Sequence, residues 1–503
     1  MLTNSEDVGM ISILKIAAAR LTSADYATLK AAEAQCAARG RSAILVDLSA
    51  VRRIARSGLA ALVEFQSEAP HQMAVGFFGA GERVQKEISK CTLSRLLRVF
   101  KTRKDALAAP VFRARQLTGV KAVILVAGQG ARMAPLSHDT PKPLLDFLGR
   151  PVLDHVLRHL SAFGIRDFIL NPGHLAPQFH AHVRSSPLRS FQFLNEGQWH
   201  GDQWQSAPLG SASTLRHLQR TTRAFDEDFL VFCGDAVTNI DVAALLAQHR
   251  ASGADVTIAA QHVPPAQVQK YGIIDAERSG RICRFAEKPA PKDAPSCLAS
   301  SGIYVFAPRV LKHVSAQSEQ DIAQHLLPSL LAAGRHLQVY DAPFSWIDLG
   351  NPNDYFSGLS RGLRGLIPDL MPNGQLIRRH VWAADGADVS PRAVIVGPAF
   401  IGADAVVEAG AKLEGPVVLG AGARACRRSL VRRSVVCAQT RINAGTWVDD
   451  MIVAPDWALD HRYMDSHAQP HTPLDGIAVE PLQDGAPLMQ PQPVVRQAGG
   501  GAR

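Results

Sequence analysis

Two groups of residues in this 503-residue chain have the types and spacing to handle a phosphate chain. The first is Val126-Ala127-Gly128-Gln129-Gly130-Ala131-Arg132-Met133-Ala134-Pro135-Leu136, followed by Thr140-Pro141-Lys142-Pro143-Leu144. Its small residues let backbone N–H groups approach phosphate oxygens closely, which makes an anion cradle. Arg132 and Lys142 add fixed positive charge within reach of the same phosphates. The second group is Gly234-Asp235, at the end of the apolar run Phe229-Leu230-Val231-Phe232. A carboxylate delivered there suits Mg²⁺, which takes one or two carboxylates and completes its shell with water and phosphate oxygens.

The spacing excludes the commoner phosphate loops. No G-x-x-x-x-G-K-[ST] is present, which disfavours a Walker-type NTPase. A dinucleotide fold needs G-x-G-x-x-G, whereas here Arg132 and Met133 lead into Ala134 and Pro135.

The elements that must hold these groups alternate in type. Ala122 to Val126 reads as a buried parallel strand. Val152 to Phe163 and Val242 to His249 read as helices, and Asp167 to Leu170, Phe229 to Phe232 and Asp255 to Ala260 as strands. This predicts an α/β unit over 117–365 with a mostly parallel, Rossmann-like sheet. Ligands of such sheets bind beyond the carboxyl ends of the strands, where both groups lie.

The AG-x-G-x-R loop and the PKP turn resemble the signature of sugar-nucleotide pyrophosphorylases, which join a nucleoside triphosphate to a sugar 1-phosphate. The resemblance runs from about Lys121 to Leu363. It implies that Ala127, Gly128, Gly130, Arg132 and Gly210 bind nucleotide, with Gly210 in a Leu209-Gly210-Ser211-Ala212-Ser213 segment that resembles L-G-T-A-G. Glu196 resembles the acidic residue that precedes this segment in relatives. Trp346-Ile347-Asp348-Leu349-Gly350 resembles a W-x-D-x-G segment whose aspartate is a second metal ligand, so Mg²⁺ is expected on Asp235 and Asp348. Tyr271-Gly272, Glu287-Lys288-Pro289 and Ser301-Gly302 resemble the segments that hold the sugar phosphate, with Ser301 standing where asparagine is common.

The implied enzyme transfers a nucleotidyl group with Arg132, Lys142 and Asp235 as its catalytic residues. Arg132 would meet the leaving pyrophosphate and Lys142 the transferred phosphate. GTP with mannose 1-phosphate is the expected pair. Glucose-1-phosphate or amino-sugar-phosphate uridylyl- or thymidylyltransferases, and a catalytically silent regulatory homologue, are the alternatives.

Residues 1–112 also alternate between strand and helix and resemble the STAS fold. The motif Ala55-Arg56-Ser57-Gly58 places Ser57 at that fold's phosphorylatable position, near a helix N-cap, though the acidic residue and first serine are missing. This predicts a module that docks a protein partner or meets a kinase.

Over 380–455, Ile395, Ile401, Val407, Leu413, Leu419, Ala425, Val431 and Cys437 recur every six positions, the mark of a left-handed parallel β-helix. No histidine lies between Gly386 and Val453, which disfavours a sugar acyltransferase and leaves a homo-oligomerisation or regulatory cap. The last coil is expected to be irregular. Residues 464–503, rich in Pro, Gln and Gly, are expected to be disordered.

Composition agrees with a multidomain globular protein with ample core, at 47% hydrophobic and 20% charged residues. Seven cysteines without C-x-x-C pairs, and a polar N-terminus without a signal peptide, point to a reducing cytoplasm. No apolar run has the roughly 18 residues of a membrane span. The net charge of +9 is dispersed. Arg427-Arg428 and Arg432-Arg433 therefore read as solvated faces, not as a nucleic-acid surface.

Overall fold

The computed structural model describes residues 2–184, 190–316, 318–463 and 479–481. The expected disordered tail lies outside the described residues except for 479–481.

The first sheet has five strands in the order Leu2–Val8, Ile11–Ile16, Ala43–Asp47, Ala74–Phe78 and Val99–Phe100. The first pair is antiparallel and the rest are parallel. Its central strand is apolar at successive positions because both faces are covered. Ile44 and Val46 pack in a cluster with Leu62 and Phe65 of helix Arg56–Ser67, while Ala43 and Leu45 pack with Ala106 and Phe112.

Ser57 is not an N-cap, because the helix begins at Arg56 with Ala55 in the cap position and no side-chain hydrogen bond there. Ser57 is instead an exposed residue of the first turn. Thr92–Leu96 forms a 3-10 turn and gives way to Val99–Phe100, which must extend to pair with Phe77 and Phe78.

The second sheet positions the site. Its path is Ser190–Phe193, Asp167–Leu170, Lys121–Leu125, Phe229–Cys233, Leu298–Phe306, Val256–His262 and Leu337–Tyr340. The first four are mutually parallel, whereas Leu298–Phe306 runs antiparallel to both neighbours. A hairpin, Gly272–Ala276 with Ile282–Glu287, branches from that strand. Leu125 lies opposite Cys233, so the loops leaving these two strands emerge side by side. Val123 and Val231 pack into one core and Ile124 and Phe232 into another, each at most 1% exposed. Full burial of such side chains contributes about 1.5–3 kcal/mol apiece, which gives both loops a rigid base.

Residues 381–453 wind into a parallel β-helix of three stacked sheets. Val381, Ala399 and Val417 lie in one column, which sets an eighteen-residue coil. The inward hexad positions Ile401, Val407, Leu413, Leu419, Ala425 and Val431 are at most 1% exposed. The period then slips. Val418 aligns with Val435 and Arg424 with Arg441, so the later coil is one residue shorter. Val436 consequently takes the inward place expected of Cys437, and Cys437 turns toward the preceding domain.

Phe400, Val418, Val435 and Ile452 share one buried cluster with Phe147, Leu148, Tyr355 and Leu359, so the β-helix rests on the second domain. Arg432 and Arg433 are engaged by Asp449 and Asp450 in ion pairs. No helix among the described residues is long and apolar enough to cross a membrane.

Candidate active site

The phosphate loop is shaped by close contacts. Gly130 has φ of 64°, and a Cβ there would come within 3.2 Å of Lys142 Cβ. Ser137 Oγ donates to the Gly130 carbonyl at 2.8 Å, tying the loop to the segment that leads into the PKP turn. At the loop's root, Val126 N–H donates to Asn171 Oδ1 at 2.7 Å. Gly128, Gly130, Arg132, Lys142 and Asp235 line one cavity of about 260 Å³. Arg132 is exposed at its rim.

Lys142 is 6% exposed, and its ammonium lies 2.6 Å from Asp235 Oδ2 and 3.6 Å from Asp348 Oδ1. Asp348 arrives by its own ladder: strand Trp346–Asp348 pairs antiparallel with Ala236–Thr238, Asp348 opposite Ala236. Burial works against the Lys142 ammonium, but the Asp235 and Asp348 charges outweigh it and hold its pKa above the ordinary lysine value. Burial pushes the Asp348 carboxyl above the usual carboxylate range, and Lys142 pulls it back.

The two carboxylates thus already face one common cation, the ammonium. Their oxygens are the donors that a hard divalent ion takes, so the pair fits Mg²⁺. Among the described residues no group of three or more His, Cys, Asp or Glu gathers into a cage. Mg²⁺ at phosphate sites needs none, being held by one or two carboxylates and the substrate.

A second cavity, of about 320 Å³, meets the first at Leu125 and Asp235. Gly272, Glu287, Ser301 and Gly302 line it, and burial raises the Glu287 carboxyl pKa. Gly302 has φ of 72°, and a Cβ there would strike Cys233 Sγ at 2.7 Å. Ser301 Oγ is turned onto the Ala259 carbonyl at 2.7 Å. Lys288 does not line this cavity; its side chain is 51% exposed and lies 3.4 Å from Glu287. Gly210 lies outside the lining too, wedged against Gln320, while its neighbour Ser211 reaches in.

Sequence reasoning missed two charged residues here. Lys270 lines the cavity with its ammonium 3.4 Å from both Asp354 oxygens. Asp321 lines it as well, and accepts from Ser211 Oγ at 2.6 Å. Lys270 precedes the Tyr271-Gly272 pair directly, a signal that was available. Asp321 reads locally only as the cap that accepts from Ala323 and Gln324 N–H.

Glu196 is 2% exposed and fully engaged. It accepts from Asn171 Nδ2 at 2.8 Å, from Leu209 N–H at 2.9 Å and from the Thr214 hydroxyl. Through Asn171 it joins the root of the phosphate loop to the Leu209-Gly210 turn.

Residues 121–363 match the nucleotidyl transferase family, the span that holds every one of these site residues. A uridylyltransferase of Synechocystis sp., named for UTP and glucose 1-phosphate, is 31% identical over 346 residues, covering 68% of this chain and 89% of that protein. The chain belongs to the nucleotidyl transferase family. A mannose-1-phosphate guanylyltransferase of Mycobacterium tuberculosis is 31% identical over 302 residues, 59% of this chain and 79% of that one. A glucose-1-phosphate adenylyltransferase of Geobacter metallireducens is 26% identical over 367 residues, with 66% and 84% covered. Members of this family generally use a divalent metal. Residues 4–106 match the STAS domain, so this nucleotidyltransferase carries a STAS module ahead of its catalytic fold.

Proposed function

We propose that this sugar-1-phosphate nucleotidyltransferase takes GTP and mannose 1-phosphate and releases pyrophosphate. One observation carries the nucleotidyl-transfer reading, that Lys142, Asp235 and Asp348 meet where the glycine-loop cavity joins the Glu287 cavity, and the likeness to the guanylyltransferase supports the choice of GTP and mannose 1-phosphate. A triphosphate in the first cavity and a sugar phosphate in the second would bring their reacting groups together at that junction.

In the reaction, a sugar-phosphate oxygen attacks the α-phosphorus in line, the bond to the bridging oxygen breaks, and pyrophosphate leaves. A phosphate monoester is already a nucleophile, so the protein's work is positioning and charge compensation. Backbone N–H groups of Gly128 and Gly130 hold the triphosphate. Arg132, at the rim, compensates the leaving pyrophosphate. Lys142, kept protonated by its two carboxylates, compensates the transferred phosphoryl group. Gly272 and Gly302 admit the sugar closely, Glu287 accepts from its hydroxyls, and Lys288, beside Glu287 outside the lining, would offer a charge to its phosphate at the cavity mouth. Asp235 and Asp348 would hold Mg²⁺, which supplies further charge stabilisation at the phosphate oxygens when bound.

The Synechocystis relative covers a larger share of this chain than the guanylyltransferase does, which supports UTP with glucose 1-phosphate as a second reading. A pyrophosphate-release screen of four NTPs against mannose, glucose and N-acetylhexosamine 1-phosphates, with Mg²⁺, separates the two. Folded protein silent across the panel would favour a regulatory homologue. The same proposal gives the STAS module a docking role with Ser57 open to phosphorylation, and gives the β-helix a role in pairing copies of the chain. Intact mass and light scattering test these.

A further inference from the structure

Directly after Glu196 the chain leaves the site as a two-stranded hairpin, Gly197–His200 paired with Gln203–Ser206, and returns at Ala207, whose N–H donates to the Glu196 carbonyl at 2.9 Å. Alternation gives the hairpin two unlike faces. Gln198, His200, Gln203 and Gln205 share one face, and Gly197, Trp199, Trp204 and Ser206 share the other.

The second face is turned toward the phosphate loop. Trp204 Nε1 donates to the Gly173 carbonyl at 2.6 Å. A Cβ added at Gly173 would lie 2.8 Å from the Ala127 carbonyl and 3.1 Å from Ser206 Oγ. Loop, Gly173 turn and hairpin foot therefore converge, and four residues past Ser206 comes Gly210.

Two features of this face are unexplained by folding. Trp199 stands 57% exposed, edge-on to Trp204 at 5.6 Å between ring centroids. Ser206 Oγ is enclosed and has no hydrogen-bond partner among the described residues. An exposed tryptophan braced by a second one, beside a buried unsatisfied hydroxyl, suits a flat aromatic ligand with polar edges. Base-on-tryptophan stacking tolerates any base, since each has a π-face.

We propose that this hairpin grips the nucleoside end of the triphosphate: Trp199 stacks on the base, Trp204 holds that ring in place, and Ser206 Oγ bonds the nucleoside. The inference rests on the nucleotidyltransferase reading and adds to it a base-side contact made by Trp199 and Ser206.

The test is calorimetric titration of the full-length protein with each NTP and Mg²⁺, and separately with inorganic tripolyphosphate, which has no base. Trp199→Ala, at an exposed position, is expected to weaken binding of the preferred NTP about tenfold, with Trp199→Phe restoring most of it. Tripolyphosphate affinity and the KM for sugar 1-phosphate stay as in the wild type. Unchanged NTP affinity in Trp199→Ala overturns the inference. Equal weakening of tripolyphosphate overturns it too, because the hairpin would then support the loop and not the base. Wild-type protein that binds tripolyphosphate but no NTP overturns the nucleotidyltransferase reading itself.

Discussion

The Lys142 ammonium lies 2.6 Å from Asp235 Oδ2, across 93 positions of sequence. The lysine is nearly buried, so its charge depends on the carboxylates beside it. Asp235→Asn removes half of that relationship and one of the two carboxylates proposed for Mg²⁺. The expected result is a loss of about 10²–10³ in kcat with near-UV circular dichroism unchanged. Activity should also vanish with EDTA and return with Mg²⁺. Retention of most activity in Asp235→Asn would refute the assignment.

Glu196 satisfies three donors from three segments. Glu196→Ala leaves them without an acceptor in a buried place, which costs about 1–3 kcal/mol or more. The Leu209-Gly210 turn also loses its tie to the phosphate loop. Urea unfolding should report the lost stability, and steady-state kinetics a raised KM for NTP with the KM for sugar phosphate little changed. A stability loss with unaltered kinetics would reduce Glu196 to a structural residue.

Asp255 offers a test in acid. Burial disfavours its carboxylate, but the hydrogen bonds from Arg309 Nε at 2.6 Å and His336 N–H at 3.0 Å prevail and hold its pKa below the usual value. A carboxyl with a depressed folded pKa stabilises the fold above its unfolded pKa, near 3.9, and that contribution is lost as pH falls through the lower folded value. Asp255→Asn should cost about 1.5–3 kcal/mol at pH 7, and its penalty should shrink below pH 4. A penalty independent of pH would contradict the sign of the shift.

Phe400 is 1% exposed in the cluster joining the β-helix to the second domain, and a Cβ at Gly149 would come within 2.6 Å of its ring. Phe400→Ala should destabilise by about 3–5 kcal/mol. Limited proteolysis should then cut first between the two units, near residues 364–380. An unchanged cleavage pattern would show that the two units hold together without this contact.

Much of the site was legible because its signals are local. The glycine loop, the PKP turn and the strand-end aspartates are each short stretches whose residue types announce their backbone. Lys270 marks where such reading ends: it lines the cavity, whereas Lys288 of the Glu287-Lys288-Pro289 segment lies half exposed beside Glu287, outside the lining. Ser57 is a similar case, since a helix that starts two residues earlier turns a cap into an exposed first-turn side chain. In the β-helix the six-residue period held to Val431, and the shorter coil after it displaced Cys437.

By itself the sequence determined the fold class, the repeat, and the residue types that meet phosphates, because strand polarity, glycine conformation and side-chain charge act over a few neighbouring residues. Only the tertiary structure decided that Lys142 stands between Asp235 and Asp348, that Asp321 reaches the second cavity, and that the Trp199 hairpin rises beside Ala127. Those relationships link residues tens to hundreds of positions apart. They depend on which strands lie adjacent in the sheet, and that order is set by packing both faces of the whole sheet at once.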